Sequence, residues 1–178
     1  MSAARLPQGL IQVYTGDGKG KTTCALGLAL RAVGQGLQVA MVQFLKGRDT
    51  GESRAAALLA PALTLRYFGR PGLVNLRSPA AEDLNYVREG WELARRVLGA
   101  GEHDLVILDE INLVLTHGLV PLAEALAVLK SRPPYVEVVL TGRQAPPELI
   151  ELADLVTEMR PVKHYYQAGV AARQGIEW

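Results

Sequence analysis

Residues 15–23 read Thr15-Gly16-Asp17-Gly18-Lys19-Gly20-Lys21-Thr22-Thr23, and they are the most informative segment of the chain. An apolar run precedes it and a run rich in alanine and leucine follows it, so the stretch joins a strand to a helix. Its glycines let successive N–H groups turn toward anionic oxygens, and the helix start adds the positive end of its dipole. The sequence therefore predicts a phosphate-binding loop.

The loop also carries polar side chains with distinct uses. Lys21 supplies a positive charge for terminal phosphates, and the hydroxyl of Thr22 is suited to Mg²⁺, or to Mn²⁺ in its place. The usual pattern has a glycine where this chain has Thr15, and Lys19 is an additional lysine. An ordinary glycine-rich turn is the alternative, but the flanking strand and helix favour phosphate binding. We expect the nucleotide to contact Gly16, Asp17, Gly18, Lys19, Gly20, Lys21, Thr22 and Thr23.

A pair of carboxylates follows a second apolar run. Residues 105–108 are all apolar, and Asp109 and Glu110 come directly after them. A carboxylate at the tip of a buried strand can reach a Mg²⁺ ion carried by nucleotide phosphates, directly or through water. The sequence therefore predicts a metal site formed by Thr22, Asp109 and Glu110, in which either carboxylate could be the direct ligand.

Strand-like and helix-like patterns alternate along the chain. Near-continuous apolar runs predict strands that are buried on both faces. They are Leu10–Tyr14, Val39–Phe44, Leu105–Leu108, Val136–Leu140 and Leu155–Met159, with a weaker one at Leu63–Tyr67. The predicted helices are Lys21–Val33, Pro79–Leu98, Pro121–Leu129 and Pro146–Leu152. This alternation predicts one α/β domain over residues 1–178, a three-layer fold of the phosphate-loop type with a mostly parallel sheet and helices on both faces. Residues 47–79, rich in Gly, Pro and Arg, are expected to form irregular loop structure.

Ligands of open parallel sheets bind beyond the carboxyl ends of the strands. Besides the loop and the acidic pair, this rule selects residues 43–47, 141–143 and 158–164. Arg143 could meet a phosphate or a carboxylate there, or be a solvated surface arginine. Likewise Arg160, with the neighbouring Lys163 and His164, could serve an anionic ligand or form a solvated basic cluster.

Composition narrows the possible partners. A net charge of +1 gives no broad electrostatic footprint for nucleic acid, and no apolar run reaches the ~20 residues of a membrane span. With neither feature and no signal-peptide pattern, we expect a cytoplasmic protein.

The single cysteine, Cys24, excludes an internal disulfide and is expected to be a small core residue. Trp91, on an amphipathic helix, is also expected to be in the core. The three histidines have no zinc-ligand spacing.

Several segments, in chain order, resemble the ATP-dependent corrinoid adenosyltransferases. They are the loop, residues 31–34, 42–47, 108–110, 141–143 and 160–164, and the tail at 168–178. The resemblance runs from about Gly9 to Trp178 and implies that Co(I) of a reduced corrinoid attacks the 5′ carbon of ATP. The whole triphosphate then leaves, and the corrinoid is either complete cobalamin or a biosynthetic precursor.

The resemblance also implies roles for individual residues. Lys21, Thr22 and Glu110 are the expected catalytic residues, and Lys19 and the metal help them neutralise charge on the leaving triphosphate. Arg31, Arg143 and Arg160 are expected to contact the nucleotide. The family is commonly dimeric, and a reductant protein such as a flavodoxin is a possible partner.

The chain departs from the family in two respects. Family members have an aromatic pair, a Phe and a Trp, that helps to remove the lower cobalt ligand. In this chain, Leu73 and Asn75 align with that pair. The longer N-terminal arm of some members is expected to be mostly absent, with residues 47–79 enclosing the substrate instead.

Two other classes use the same loop, a nucleoside or small-molecule kinase and a non-catalytic or assembly ATPase module, but neither explains the ordered family segments.

Overall fold

The computed structural model describes residues 5–47, 49–72 and 74–177. Its strands are β1 (Ile11–Thr15), β2 (Val39–Phe44), β3 (Leu63–Phe68), β4 (Leu105–Asp109), β5 (Glu137–Thr141) and β6 (Leu155–Glu158). Its helices are α1 (Lys21–Gly34), α2 (Gly51–Leu58), α3 (Ala81–Ala100), α4 (Ile111–Thr116), α5 (Leu122–Ser131) and α6 (Pro147–Leu152). A short 3₁₀ turn follows at Tyr165–Ala168.

These strands form one parallel sheet in the order β3-β2-β4-β5-β1-β6. Strand β5 therefore lies between β1, which leads into the phosphate loop, and β4, which leads into the acidic pair. The register aligns the carboxyl ends, with Tyr14 beside Thr141 and Gln43 beside Asp109. Polar residues that are distant in sequence thus meet at one edge of the sheet.

Two apolar clusters sandwich the sheet. Successive residues of a strand point to opposite faces, so Val13, Val42 and Leu108 pack with helices α3 to α6. Their neighbours on the strands, such as Met41 and Ile107, pack with α1 and α2 on the other face. The predicted three-layer α/β fold with a parallel sheet is confirmed.

The expectation of irregular structure over residues 47–79 is wrong in part. The segment contains α2 and the edge strand β3, whose predicted bounds at Leu63–Tyr67 are nearly those observed. Only Ala56 of α2 is buried, so the helix gives little apolar periodicity in the sequence. Helix α4, which begins directly after the acidic pair, was also missed, because a six-residue apolar segment gives no clear period.

Two burial predictions are wrong. Cys24 is exposed rather than in the core, because the buried stripe of α1 is formed by Lys21, Ala25, Ala29 and Ala32. Strand β6 is exposed along its length, since it lies at the edge of the sheet. Trp91 is buried as expected, and its Nε1 donates to Glu124 at 2.8 Å.

Among the described helices, none has the length and apolar character needed to cross a membrane.

Candidate functional site

The phosphate loop is folded tightly against the end of β6. Gly16 and Gly20 have φ angles of 91° and 120°, a conformation that side chains with a Cβ rarely adopt. A Cβ on Gly16 would lie 2.5 Å from the carbonyl oxygen of Met159, and that same oxygen accepts from the N–H of Gly18 at 2.7 Å. The glycines are therefore required by close backbone contact as well as by the turn.

Lys21 is buried beneath the loop. Its ammonium donates to the carbonyl oxygens of Gly16 at 2.6 Å and Gly18 at 2.8 Å. Burial lowers the pKa of Lys21, and the nearby charge of Glu110 opposes this shift. The loop thus holds a positive charge in a fixed position before any ligand arrives, which is the arrangement that stabilises developing negative charge.

Asp109 lies at the centre of a buried polar cluster. Its Oδ1 accepts from the hydroxyls of Thr22 at 2.8 Å and Thr141 at 2.6 Å. Its Oδ2 accepts from Gln43 at 3.0 Å and from the ammonium of Lys46 at 2.9 Å. Burial alone would raise the pKa of Asp109, but the charge of Lys46 and these hydrogen bonds outweigh it and lower the pKa. The carboxylate is thus held ionised in the interior.

Glu110 turns away from the sheet toward the cavity. Its φ of 62° reverses the chain between β4 and α4, and its N–H donates to the hydroxyl of Thr141 at 3.0 Å. Burial and the neighbouring charge of Asp109 raise the pKa of Glu110. These adjacent residues therefore have opposite pKa shifts, because Lys46 and the hydrogen-bond donors contact Asp109, whereas burial and the charge of Asp109 dominate at Glu110.

A cavity of about 700 Å³ opens over the loop. One side is polar and charged, with residues 17–23, Lys46, Glu52, Glu110 and Arg143. The other side is apolar and is formed by Leu26, Leu30, Ala55, Ala56, Leu59 and Leu63. The cavity therefore suits a ligand, or a pair of ligands, with an anionic part and an apolar part.

The structure brings together most of the predicted site residues. Loop residues Asp17 to Thr23, Glu110 and Arg143 line the cavity, with Arg143 3.8 Å from the carboxylate of Asp17. Gly16 and Asp109 lie just behind this lining and support it through the contacts described above. Arg31, in the last turn of α1, and Arg160, paired with Glu158 at 2.9 Å, are exposed and lie outside the lining.

Sequence reasoning assigned no role to several residues that lie at the site. Lys46 and Gln43 contact Asp109, and Lys46 also lies 3.4 Å from Glu52 of α2. The sequence offers two signals for them, the strand end at residues 43–47 and the family-like segment at residues 42–47, and neither one specifies a contact with Asp109. The tail also reaches the cavity, where the ammonium of Lys19 donates to the carbonyl oxygen of Ile176 at 3.1 Å.

Neither of the adjacent tyrosines of the tail is in the core, since Tyr166 is 75% exposed and Tyr165 is half-buried. The comparison with the aromatic pair falls partly outside the described residues, because Leu73 is not among them. Asn75 is exposed and does not line the cavity.

The parallel sheet, the glycine-rich loop at the start of α1 and the acidic tip of β4 define a phosphate-loop nucleotide-binding protein. Residues 7–178 match the family described as ATP:corrinoid adenosyltransferase BtuR/CobO/CobP, and the chain belongs to that family. This confirms the resemblance found in the sequence.

Curated relatives match the whole of this chain. The corrinoid adenosyltransferase of Escherichia coli strain K12 is 39% identical over 178 residues, which cover 100% of this chain and 90% of that protein. The corrinoid adenosyltransferase of Pseudomonas aeruginosa is 37% identical over 179 residues, covering 100% of this chain and 88% of that protein. Among solved structures, the flagellar accessory protein FlaH from Methanocaldococcus jannaschii superposes with a TM-score of 0.59. The superposition covers 86% of this chain and 72% of FlaH at 13% sequence identity, so the similarity supports only the fold.

Proposed function

We propose that this chain transfers the 5′-deoxyadenosyl group of ATP to Co(I) of a reduced corrinoid and releases triphosphate, in adenosylcobalamin biosynthesis or salvage. The observation that carries the proposal is a lysine-rich phosphate loop facing an apolar wall in one cavity, in a member of the corrinoid adenosyltransferase family. The polar side suits a triphosphate, and the apolar side suits the large ring of a corrinoid or the adenine base.

The reaction needs no side-chain nucleophile. The electron pair of Co(I) forms the bond to the 5′ carbon, and the pair of the breaking carbon–oxygen bond leaves with the triphosphate. Cobalt is formally oxidised to Co(III), and no proton has to move at the carbon. The protein's task is therefore to align the two substrates and to stabilise negative charge on the leaving group.

The residues around the loop suit this task. Lys21 is held below the loop, and Lys19 stands at its outer side, next to the tail. With the loop N–H groups and Thr22, they offer positive charge over the length of a triphosphate. Arg143 lies on the same wall and adds a further cation, whereas contacts from Arg31 and Arg160 would need those side chains to move.

The residues at the tip of β4 fit a magnesium ion bound together with the nucleotide. Thr22, Asp109 and Glu110 offer only oxygen atoms, and among the described residues no group of three or more His, Cys, Asp or Glu side chains is placed to hold a metal ion. Mg²⁺ typically takes one or two carboxylates and completes its shell with phosphates and water, which suits this donor set. The ion, or Mn²⁺ in its place, would supply additional neutralisation of the triphosphate charge.

Four further proposals have different support. A homodimer and a protein reductant such as a flavodoxin rest on the family alone. A cytoplasmic location rests on the lack of a signal-peptide or membrane-span pattern in the sequence, and a single domain over residues 1–178 rests on the alternation of strands and helices. A kinase that transfers the γ-phosphate is the alternative activity, but family membership does not favour it.

An anaerobic assay with ATP, Mg²⁺, a strong chemical reductant and a corrinoid tests the proposal. We expect a light-sensitive adenosyl corrinoid and stoichiometric triphosphate, because the carbon–oxygen bond at the 5′ position is the one that breaks. Formation of ADP would instead indicate the kinase. Folded protein that gives neither product with cobalamin nor with an early precursor would contradict the proposed activity.

A further inference from the structure

We propose that Lys46 is an exchangeable internal cation, which neutralises Asp109 in the nucleotide-free protein and gives up this position to the divalent ion when the metal–nucleotide complex binds. The inference depends on the proposed function in one respect, namely that a divalent ion binds at the tip of β4. Lys46 is thus a positioning residue that acts through Asp109.

The first observation is that the Asp109 carboxylate has no vacant position. A carboxylate has about four acceptor sites, and Thr22, Thr141, Gln43 and Lys46 occupy two on each oxygen. A divalent ion, or a water molecule bound to it, can therefore reach this carboxylate only if one of the four donors moves.

Lys46 is the donor that can leave. Thr141 and Gln43 are neutral and buried, and Thr22 can donate to Asp109 while its lone pairs face the ion. Lys46, in contrast, is 25% exposed and carries a charge that a divalent ion would repel. The exchange keeps Asp109 paired in both states, which matters because an unpaired buried charge is strongly destabilising.

The structure also provides a place for the displaced ammonium. Its Nζ lies 3.4 Å from Glu52 Oε1, and both side chains line the cavity. A rotation toward Glu52 would keep the lysine paired and leave its charge facing the polar side of the cavity. Occupation of the metal site would thereby be linked to the start of α2.

The test compares Lys46→Met with the wild type by measuring Mn²⁺ binding with electron paramagnetic resonance, without nucleotide or corrinoid. Methionine keeps the aliphatic length and removes the competing charge, so we expect Mn²⁺ to bind about tenfold more tightly or better. Lys46→Arg keeps a cation and should bind Mn²⁺ like the wild type. Lys130→Met, on the exposed side of α5, is the matched control and should change nothing.

Thermal unfolding gives a second readout that does not depend on activity. Without metal, Lys46→Met should unfold at a lower temperature, and saturating Mn²⁺ should restore more stability to it than to the wild type. If the variant folds poorly, its folded yield should rise with Mn²⁺ during refolding. In an Asp109→Asn background, the additional effect of Lys46→Met on Mn²⁺ affinity should disappear.

Equal or weaker Mn²⁺ binding by Lys46→Met would overturn the proposal, as would a loss of stability that Mn²⁺ does not restore. The first result would show that Lys46 does not compete with the divalent ion for Asp109, and the second would make its role purely structural. Because corrinoid and ATP are absent from these measurements, a failed transferase assay would contradict the proposed function and leave this exchange standing.

Discussion

The hydroxyl of Thr22 donates a hydrogen bond of 2.8 Å to the carboxylate of Asp109, although 87 positions separate the two residues. The bond joins the first turn of α1 to the tip of β4. Thr141, at the end of the intervening strand β5, donates to the same carboxylate oxygen. The phosphate loop and the acidic tip are therefore one connected unit in the ligand-free protein, and substitutions in either part should affect nucleotide binding.

Replacing Lys21 by alanine should abolish most of the transferase activity. The substitution removes a fixed positive charge next to the loop, and a preorganised group of this kind contributes ~3–4 kcal/mol to transition-state stabilisation. We expect kcat to fall on the order of 10²–10³-fold in the anaerobic assay. Lys130→Ala is the control, and near wild-type turnover of Lys21→Ala would show that the loop does not hold the triphosphate.

Glu110→Gln should raise the Mg²⁺ concentration needed for half-maximal activity. The substitution preserves size and removes the charge, so we expect a shift of about 10–100-fold, the range typical of carboxylates that support a metal ion. Thermal unfolding without metal should change little, because Glu110 makes its backbone contact through its N–H. Glu89→Gln, exposed on α3, is the control, and an unchanged metal titration of Glu110→Gln would exclude the predicted metal role.

The phosphate loop and the acidic pair could be predicted because their signals are local. A glycine-rich turn between a strand and a helix, or a carboxylate after four apolar residues, is visible within a few positions. The helix α2 could not be predicted with the same ease, because it buries only Ala56 and its other residues are small or polar apart from the exposed Leu58. The role of Lys46 was equally hidden, since its partner Asp109 lies on another strand and only the register of β2 and β4 brings them together.

Burial was harder to predict than element type. The sequence around Cys24 is apolar enough to suggest a core position, yet helical geometry places Ala25 and Ala29 on the buried stripe and leaves Cys24 outside it. Likewise, the apolar run of β6 resembles that of a central strand. Its exposure depends on sheet order, which local sequence does not encode.

Gly16→Ala should destabilise the protein and weaken ATP binding. A residue with a Cβ at this positive φ costs at least ~1 kcal/mol, and its Cβ would also clash with the carbonyl oxygen of Met159. Gly99→Ala is the matched control, because Gly99 lies in α3 and a Cβ there would meet nothing within 4 Å beyond its chain neighbours and the nearby backbone of its own helix. The control should stabilise the protein by about 0.4–1 kcal/mol in chemical denaturation. Equal stability of the two variants would contradict the close packing of the loop on β6.

Asp83→Asn should lower stability at neutral pH and have less effect in acid. Arg70 donates to the Asp83 carboxylate at 2.7 Å, and this contact holds the pKa of Asp83 below its usual 3.8. The stabilisation is fully present above the unfolded-state pKa and is lost as pH falls through the lower folded-state pKa. Denaturation curves from pH 7 to pH 2.5 should therefore converge below about pH 4. Arg54→Gln, which breaks an exposed pair with Asp49, should lower stability less than Asp83→Asn does at neutral pH.

The C-terminal tail should control the position of Lys19 through Glu177. The Glu177 carboxylate accepts from Arg173 and from the hydroxyl of Tyr165, and these hydrogen bonds lower its pKa to about 2. The tail so formed presents the carbonyl oxygen of Ile176 to Lys19 at the cavity. A loss of charge at Glu177 should therefore loosen the tail and release the lysine.

Glu177→Gln tests this link by hydrogen–deuterium exchange and by kinetics. We expect faster exchange over residues 165–177, because the amide is a weaker acceptor for the guanidinium than the carboxylate. The KM for ATP should rise a few-fold with a smaller change in kcat, since ion pairs that solvent screens contribute little energy. Glu151→Gln, exposed on α6, is the control and should leave both measurements unchanged. If exchange in the tail accelerated while the KM for ATP stayed at the wild-type value, the contact between Lys19 and Ile176 would have no part in binding the nucleotide.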